Sequence, residues 1–288
     1  MAAKSKKPKL KSIIRGRPPL AKTPTASLSS KTTRNLIRTH HNLQKAYTQA
    51  LKDDNDSKAR ELEAEITAQG GLAKYQVAST QGQSAARGGD SSRVLVEWLQ
   101  PILQGAHERS HRFRVLEVGT LSTKNACSRV SCLDVRRIDL KSQDPGIEEI
   151  DFMELAVPRD GEKFHVISLS LVLNYVSDPA SRGEMLARVP KLLENPTQES
   201  VIPSLFLVLP LACVANSRYL TEERLSQIMY ALGLHLTKQR ITSKLYYSLW
   251  TFGPIGENSS HIQIKKEVLR SGATRNNFAI TLDTRELG

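Results

Sequence analysis

The chain has 288 residues, with 41 Lys and Arg against 29 Asp and Glu, a formal charge of +12. That length holds one sizeable domain with extensions, and that charge calls for an acidic partner. No apolar run reaches the roughly 18 residues of a membrane helix, and no apolar stretch near the start marks a secretory leader.

The cations are unevenly spread. Residues 1–45 carry twelve Lys or Arg and no Asp or Glu, which leaves 29 cations to balance the 29 acids of the remainder. Lys4-Ser-Lys-Lys-Pro-Lys-Leu-Lys11 and Arg15-Gly-Arg17-Pro-Pro cannot form a core. Residues 1–30 are therefore expected to be a disordered basic tail that targets the nucleus or binds nucleic acid. A merely solubilising tail is the plainer alternative. Leu36, Leu43 and Ala50 then recur every seven residues, widened by Ile37, Tyr47 and Leu51. After the turn signal Lys52-Asp-Asp-Asn-Asp-Ser57, Ala59, Leu62 and Ile66 give a second face. Residues 31–69 thus read as a helical hairpin ending at Gly70-Gly71.

Residues 70–92 are polar and glycine-rich, yet contain Tyr75 and Arg87. Arg87 beside Gly88-Gly89 is suited to grip a carboxylate or a phosphate, because the glycines let backbone approach closely. The segment reads as a gating loop, or as a surface loop with Arg87 solvated. Asp90 or Ser91 caps a following helix whose apolar face is Val94, Leu95, Trp98, Leu99, Ile102 and Leu103.

Next come Phe113-Arg-Val-Leu-Glu-Val-Gly119, Arg137-Ile-Asp139-Leu, Ile150-Asp151-Phe152 and Phe164-His-Val-Ile-Ser-Leu-Ser-Leu-Val-Leu-Asn174. In order these are a strand and turn, a strand ending in a carboxylate, a turn with a carboxylate, and a buried strand. That is the layout of a doubly wound sheet binding a nucleoside-containing cofactor across its strand ends. A carboxylate closing the second strand, Asp139, suits two ribose hydroxyls. Thr120 to Asn125 contains no second or third glycine to cradle a pyrophosphate, and no P-loop is present. A cofactor without phosphates, S-adenosylmethionine, is the expectation.

Downstream, Met185–Leu193 reads as a helix and Ser204–Pro210 as a strand buried on both faces. Thr221 caps a helix to Leu232, which stops at Gly233. Leu234–Thr242 and Leu245–Phe252 form a closing antiparallel pair. The sheet-bearing domain is bounded at 93–255, and 256–288 reads as a loosely ordered extension. Cys127, Cys132 and Cys213 are odd in number and make no Cys-x-x-Cys pair, and the seven histidines show no metal-ligand spacing. His107 and His111 read as a solvated pair, and no metal is expected.

The ordered set resembles the Rossmann-like class I S-adenosylmethionine-dependent methyltransferases, with Glu117 and Gly119 in their first motif, Asp139 in the second and Asp151-Phe152 in the third. The resemblance implies a mostly parallel α/β sheet with a C-terminal antiparallel hairpin. Over residues 70–252, and most specifically in Gly70-Gly-Leu…Gly-Gly-Asp-Ser-Ser92, the chain is similar to fungal nucleolar methyltransferases of large-subunit ribosomal RNA. These place a methyl on N1 of an adenine. Animal relatives act instead as S-adenosylmethionine sensors through protein partners, which supplies the rival reading. The resemblance implies a nucleolar enzyme acting on ribosomal RNA or a pre-ribosome, with monomer as the default state. It implies that Gly119 approaches the methionine moiety, that Asp139 takes the ribose hydroxyls, and that Asp151 accepts from the adenine amino group with Phe152 beside the ring; the plainer alternatives are surface carboxylates at strand ends for the two acids and a core position for Phe152. Ser168 is expected at the end of the fourth strand, near the sulfonium methyl. Asn174-Tyr175 stands where methylases of exocyclic amines carry Asp-Pro-Pro-Tyr or Asn-Pro-Pro-Tyr. Asn174 could bond the target base and Tyr175 stack on it, or both could pack.

Overall fold

The structure is a computed structural model that describes residues 30–71, 90–108, 112–142, 144–196, 203–253 and 262–284. Residues 1–29 of the basic tail and 72–89 of the glycine-rich segment, with Tyr75 and Arg87, lie outside the described residues, as does His111.

The expected helical hairpin is present. Helix α1 spans Ser30–Lys52 and α2 spans Asp56–Ala68. The Asn55 side chain caps α2 by accepting the Lys58 N–H at 3.0 Å. Ala50, Ala59 and Leu62 form the apolar seam, with Leu43 and Tyr47 against it, while Leu51 stays exposed. The hairpin docks on the domain through the Thr48 and Ser177 hydroxyls at 3.2 Å and a Lys52–Asp178 ion pair at 2.7 Å.

Helix α3, Ser92–Glu108, leads into strand β1, Phe113–Val118. Strands β2 (Leu133–Asp139), β3 (Glu148–Glu149), β4 (Val166–Ser170), β5 (Ser204–Pro210), β6 (Leu234–Ile241) and β7 (Leu245–Phe252) complete one sheet in the order β3-β2-β1-β4-β5-β7-β6. Strands β1 to β5 pair in parallel; β7 runs antiparallel to both β5 and β6. Helices α4 (Pro179–Leu192), α5 (Leu211–Ala215) and α6 (Glu222–Ala231) fill the connections. Asp178 caps α4 by accepting the Ala180 and Ser181 N–H groups, and Thr221 caps α6 as expected.

Strand periodicity divides the core between two faces. Phe113 and Val115 of β1 pack with Leu95, Trp98 and Leu99 of α3, and Trp98 meets the Phe206 ring edge-on at 5.8 Å. Leu116 and Val118 point the other way, into a core shared with Leu186 and Val189 of α4 and Leu225 and Ile228 of α6. A sheet covered on both faces explains the near-continuous apolar run of β5.

Residues 262–284 correct the expectation of a loose extension. Strands β8 (Gln263–Ile264) and β9 (Leu282–Asp283) pair, and Phe278, Ala279, Ile280 and Leu282 are buried. Arg270 donates to the carbonyls of Val214, Ala215, Ser217 and Leu220 at the exit of α5. Arg182, on α4, donates to Ala279 O at 2.5 Å and lies 4.2 Å from the Phe278 ring centroid. The segment is a strap across the domain. Its burial comes from irregular backbone, which leaves no periodic signature.

Candidate functional site

The strand order reverses between β1 and β4, and in open α/β sheets ligands sit at the carboxyl ends beside that reversal. Here the register sets three polar residues in one row: Glu117 pairs laterally with Arg137 on β2 and with Ser168 on β4. All three project to the α3 face, since Val115, Val135 and Val166 on that face pack with α3.

Glu117 is 4 % exposed, and its Oε2 has no hydrogen-bond partner among the described residues. Arg137 Nε is 3.9 Å from that oxygen, and the guanidinium donates hydrogen bonds to Ser128 Oγ and Val135 O. Burial pushes the Glu117 carboxyl up to about 7; Arg137 and an Asn125 hydrogen bond pull it down, while the neighbouring Asp90 pushes it up further. Asp90 lies at the start of α3. Its carboxylate accepts the Ser92 N–H and hydroxyl at 2.9 and 2.8 Å, and the Ala126 N–H at 2.5 Å. It thereby ties the helix start to the loop after β1. The sequence reading gave Asp90 a capping role alone; its reach to Ala126 depends on a fold that the local signal does not contain.

Gly119 adopts φ +73°, and a Cβ there would lie 2.5 Å from Val172 Cγ2. Leu171, at φ +59°, occupies the left-handed region immediately before Val172. The glycine is therefore needed for turn conformation and for close packing of the β1 and β4 loops. The expected role, admitting a ligand to its backbone, is separate from this.

Asp139 closes β2; its Oδ1 accepts the Lys141 N–H at 2.9 Å, which orients the carboxylate. Asp151 lies in the turn after β3, where Oδ1 accepts the Met153 N–H at 2.8 Å. Phe152 is 3 % exposed in the core that holds Ile138 and Leu186. Of the two places expected for Phe152, beside the ligand ring or in the core, this burial is compatible with packing in the core next to the turn that carries Asp151. Ser168 departs from expectation. Strand β4 continues to Ser170, so Ser168 lies one row inside, level with Glu117. The residue at the strand end is Ser170, whose hydroxyl is 2.7 Å from that of Ser91.

Asn174 and Tyr175 follow β4 in a turn in which the Tyr175 N–H donates to Val172 O at 2.8 Å. Asn174 Oδ1 is buried without a hydrogen-bond partner among the described residues. Among the described residues only Ser204 Oγ shares that state with it and with Glu117 Oε2. The carboxyl end of the sheet thus gathers acceptors: Glu117, Asp139, Asp151 and Asn174. Cys127 and Cys213 are free thiols, and burial pushes the latter up to about 12, which leaves it a poor nucleophile. No helix among the described residues is long and apolar enough to cross a membrane.

A sheet of this order, with acceptors clustered at its reversal and no glycine cradle after β1, defines a class I S-adenosylmethionine-dependent methyltransferase. Residues 60–280 match the family described as 25S rRNA (adenine(2142)-N(1))-methyltransferase, Bmt2. The chain belongs to that family. It is 38 % identical over 250 residues to the 25S rRNA adenine-N(1) methyltransferase of Schizosaccharomyces pombe, covering 85 % of this chain and 89 % of that one. To the 25S rRNA (adenine(2142)-N(1))-methyltransferase of Saccharomyces cerevisiae it is 37 % identical over 220 residues, covering 76 % of this chain and 62 % of that one. Among solved structures, the 1,6-didemethyltoxoflavin-N1-methyltransferase of Burkholderia thailandensis overlaps at 12 % identity and a TM-score of 0.39, over 64 % of this chain and 89 % of that one. The fold class rests on the strand order, not on that overlap.

Proposed function

We propose that this chain transfers the methyl group of S-adenosylmethionine to N1 of an adenine in 25S ribosomal RNA, during large-subunit assembly in the nucleolus. The observation that carries the reading is the cluster of acceptors at the sheet reversal in a chain of the Bmt2 family. S-adenosylmethionine presents an ammonium, two ribose hydroxyls and an adenine amino group, all donors. Glu117, Asp139 and Asp151 are the matching acceptors, and Glu117 Oε2, which takes no hydrogen bond among the described residues, is free to accept one from the ammonium. The lack of further glycines after Gly119 agrees with a cofactor that carries no phosphate. The acid-free start of the chain supports delivery to the nucleus and to RNA.

When bound, the cofactor supplies a methyl already activated by its sulfonium. The chain's own task is alignment. Asp139 would take the ribose hydroxyls, with the Lys141 N–H holding the carboxylate in place. Glu117 would take the ammonium. Adenine N1 attacks through a lone pair that is unprotonated at neutral pH, so no general base is required. Asn174 Oδ1 is an acceptor suited to the C6 amino group that flanks N1, and Tyr175 beside it can stack on the base. The N1 edge is engaged in a duplex, so the target adenine enters unpaired or flipped. Methylation leaves the base cationic, and the acceptors of the site favour that charge.

The test is primer extension across 25S rRNA from cells without the protein. A stop at one adenine should vanish, return with the wild-type chain, and fail to return with Asp139→Ala. Unchanged rRNA with altered nutrient signalling would favour the sensor reading instead.

A further inference from the structure

Strands β4 and β5 run in parallel, so the chain leaving each one emerges at the carboxyl end of the sheet, where α4, α5 and the link into α6 begin. The C-terminal strap is fastened to those segments. Leu269 and Arg270 donate their N–H groups to Arg218 O at 2.8 and 3.2 Å, and Asn276 Nδ2 donates to Ala212 O at 2.6 Å. The Thr281 N–H donates to Pro179 O at 3.0 Å. Arg182 joins the strap to the exit of β4, donating to Ala279 O and to the carbonyls of Val176 and Ser177. Val176 directly follows Asn174-Tyr175. The strap therefore forms the rim of the site beside the proposed base contacts.

That rim is rich in cations. Residues 211–220 and 265–277 carry Arg218, Lys265, Lys266, Arg270 and Arg275 against one acid, Glu267. Glu267 pairs with Arg224 at 2.6 Å. Among the described residues none of the five cations enters an ion pair. Glu223 feels the charge of Arg270, but its carboxylate is bonded to Thr221 at the start of α6.

The five cations divide by their contacts. Arg270 is committed to the carbonyls of Val214, Ala215, Ser217 and Leu220, and Arg218 to Asn277 Oδ1 and Gly272 O at 2.5 and 3.0 Å. These two fasten the strap. Lys265 and Lys266 are exposed, and Lys266 Nζ stands 4.6 Å from the Tyr219 ring centroid, held over the ring face. Arg275 donates through Nε to Ser271 O at 2.8 Å, which leaves its two terminal nitrogens for another acceptor.

We infer that Lys265, Lys266 and Arg275 of the strap hold the phosphates of the RNA that flanks the target adenine. The inference rests on the RNA reading of the site. Phosphate oxygens are acceptors that match ammonium and guanidinium donors left without a carboxylate. A target base that has left its stack needs its flanking backbone held while it enters the site, and the strap is the rim beside that entry. The stretch exposes one large apolar side chain, Val268, so it lacks the apolar centre of a protein interface. The bonds of Arg218 and Arg270 to neutral acceptors keep the strap in place without neutralising it, so the mutual repulsion of its cations is left for a polyanion to relieve.

The test uses the full chain with Lys265, Lys266 and Arg275 changed to Gln, leaving Arg218 and Arg270 to fasten the strap. A control chain carries Arg112→Gln, Lys163→Gln and Lys191→Gln, the same change of charge at the amino end of the sheet. Calorimetry with S-adenosylhomocysteine and salt titration of binding to a 25S rRNA fragment are read together. For the strap variant the expected result is unchanged cofactor affinity, a raised KM for RNA, and a salt slope shallower by about 2, at about 0.7 per phosphate contact on a single strand. The control should keep the wild-type slope, and Lys265→Arg with Lys266→Arg and Arg275→Lys should retain both affinity and slope. Unchanged RNA affinity and slope in the strap variant would overturn the inference, as would an equal change of slope in the control. So would weaker RNA binding at an unchanged slope, or loss of an acidic protein partner with RNA binding intact. A wild-type chain that neither binds nor methylates the RNA would instead refute the functional reading itself.

Discussion

Glu117→Gln should make the protein more stable and its cofactor site worse. The carboxyl titrates at about 7 in the folded chain, against an ordinary value of 4.5. Because the folded value is the higher one, stability is full below pH 4.5 and falls as the pH rises towards 7. At about 1.36 kcal/mol per pH unit the loss approaches about 3 kcal/mol. Glutamine keeps the shape and never ionises, and Arg137 retains Ser128 and Val135 as partners. Urea denaturation of the cofactor-free protein at pH 5 and pH 8 measures this. The wild type should lose stability between the two values by more than the variant does, and the variant should be the more stable at pH 8. Affinity for S-adenosylhomocysteine should fall in the same variant, because the buried acceptor for the ammonium has lost its charge. Identical pH dependence in the two proteins would refute the argument, as would a variant destabilised at pH 8.

Asp139→Ala should abolish measurable cofactor binding by calorimetry, since loss of charge-assisted bonds of this kind costs roughly 2–4 kcal/mol; near-wild-type affinity would remove the ribose assignment. Gly119→Ala should lower stability by about 2–4 kcal/mol, combining the left-handed backbone with the collision at Val172. Adding Val172→Ala should recover part of that loss in thermal unfolding. Gly183→Ala would set a Cβ 1.8 Å from Thr281 O, so it should lift the C-terminal strap and expose residues 262–284 to limited proteolysis. A protease pattern like that of the wild type would contradict the packing described for the strap.

The sheet was legible where burial is periodic or continuous. Strand β5 and the β6–β7 pair match their expected spans closely, because a strand covered on both faces must be apolar throughout and a closing hairpin needs its turn at Thr242–Lys244. Strand β3 was illegible: it is two exposed glutamates paired to Ile138 and Asp139. The strap was missed although Phe278-Ala-Ile-Thr-Leu282 is nearly all apolar, because it packs as extended chain against α4 rather than as a helix or a long strand. In the site, Glu117, Asp139 and Asp151 were visible as carboxylates at strand and turn ends. The Arg137–Glu117–Ser168 row was not, since lateral register is set by pairing between strands far apart in sequence. Nor was Val172, whose approach to Gly119 follows from the left-handed Leu171.

The most direct test of the central claim is methyl transfer in vitro. Purified protein is incubated with 25S rRNA lacking the modification and with S-adenosylmethionine labelled at the methyl group. The RNA is then digested to nucleosides at neutral pH and resolved by mass spectrometry, since base converts N1-methyladenosine to its N6 isomer. One N1-methyladenosine per rRNA, absent with Asp139→Ala, is the predicted result. Labelled cofactor that binds the wild-type chain but leaves the rRNA unmodified, or a label found on an exocyclic amine, would contradict it.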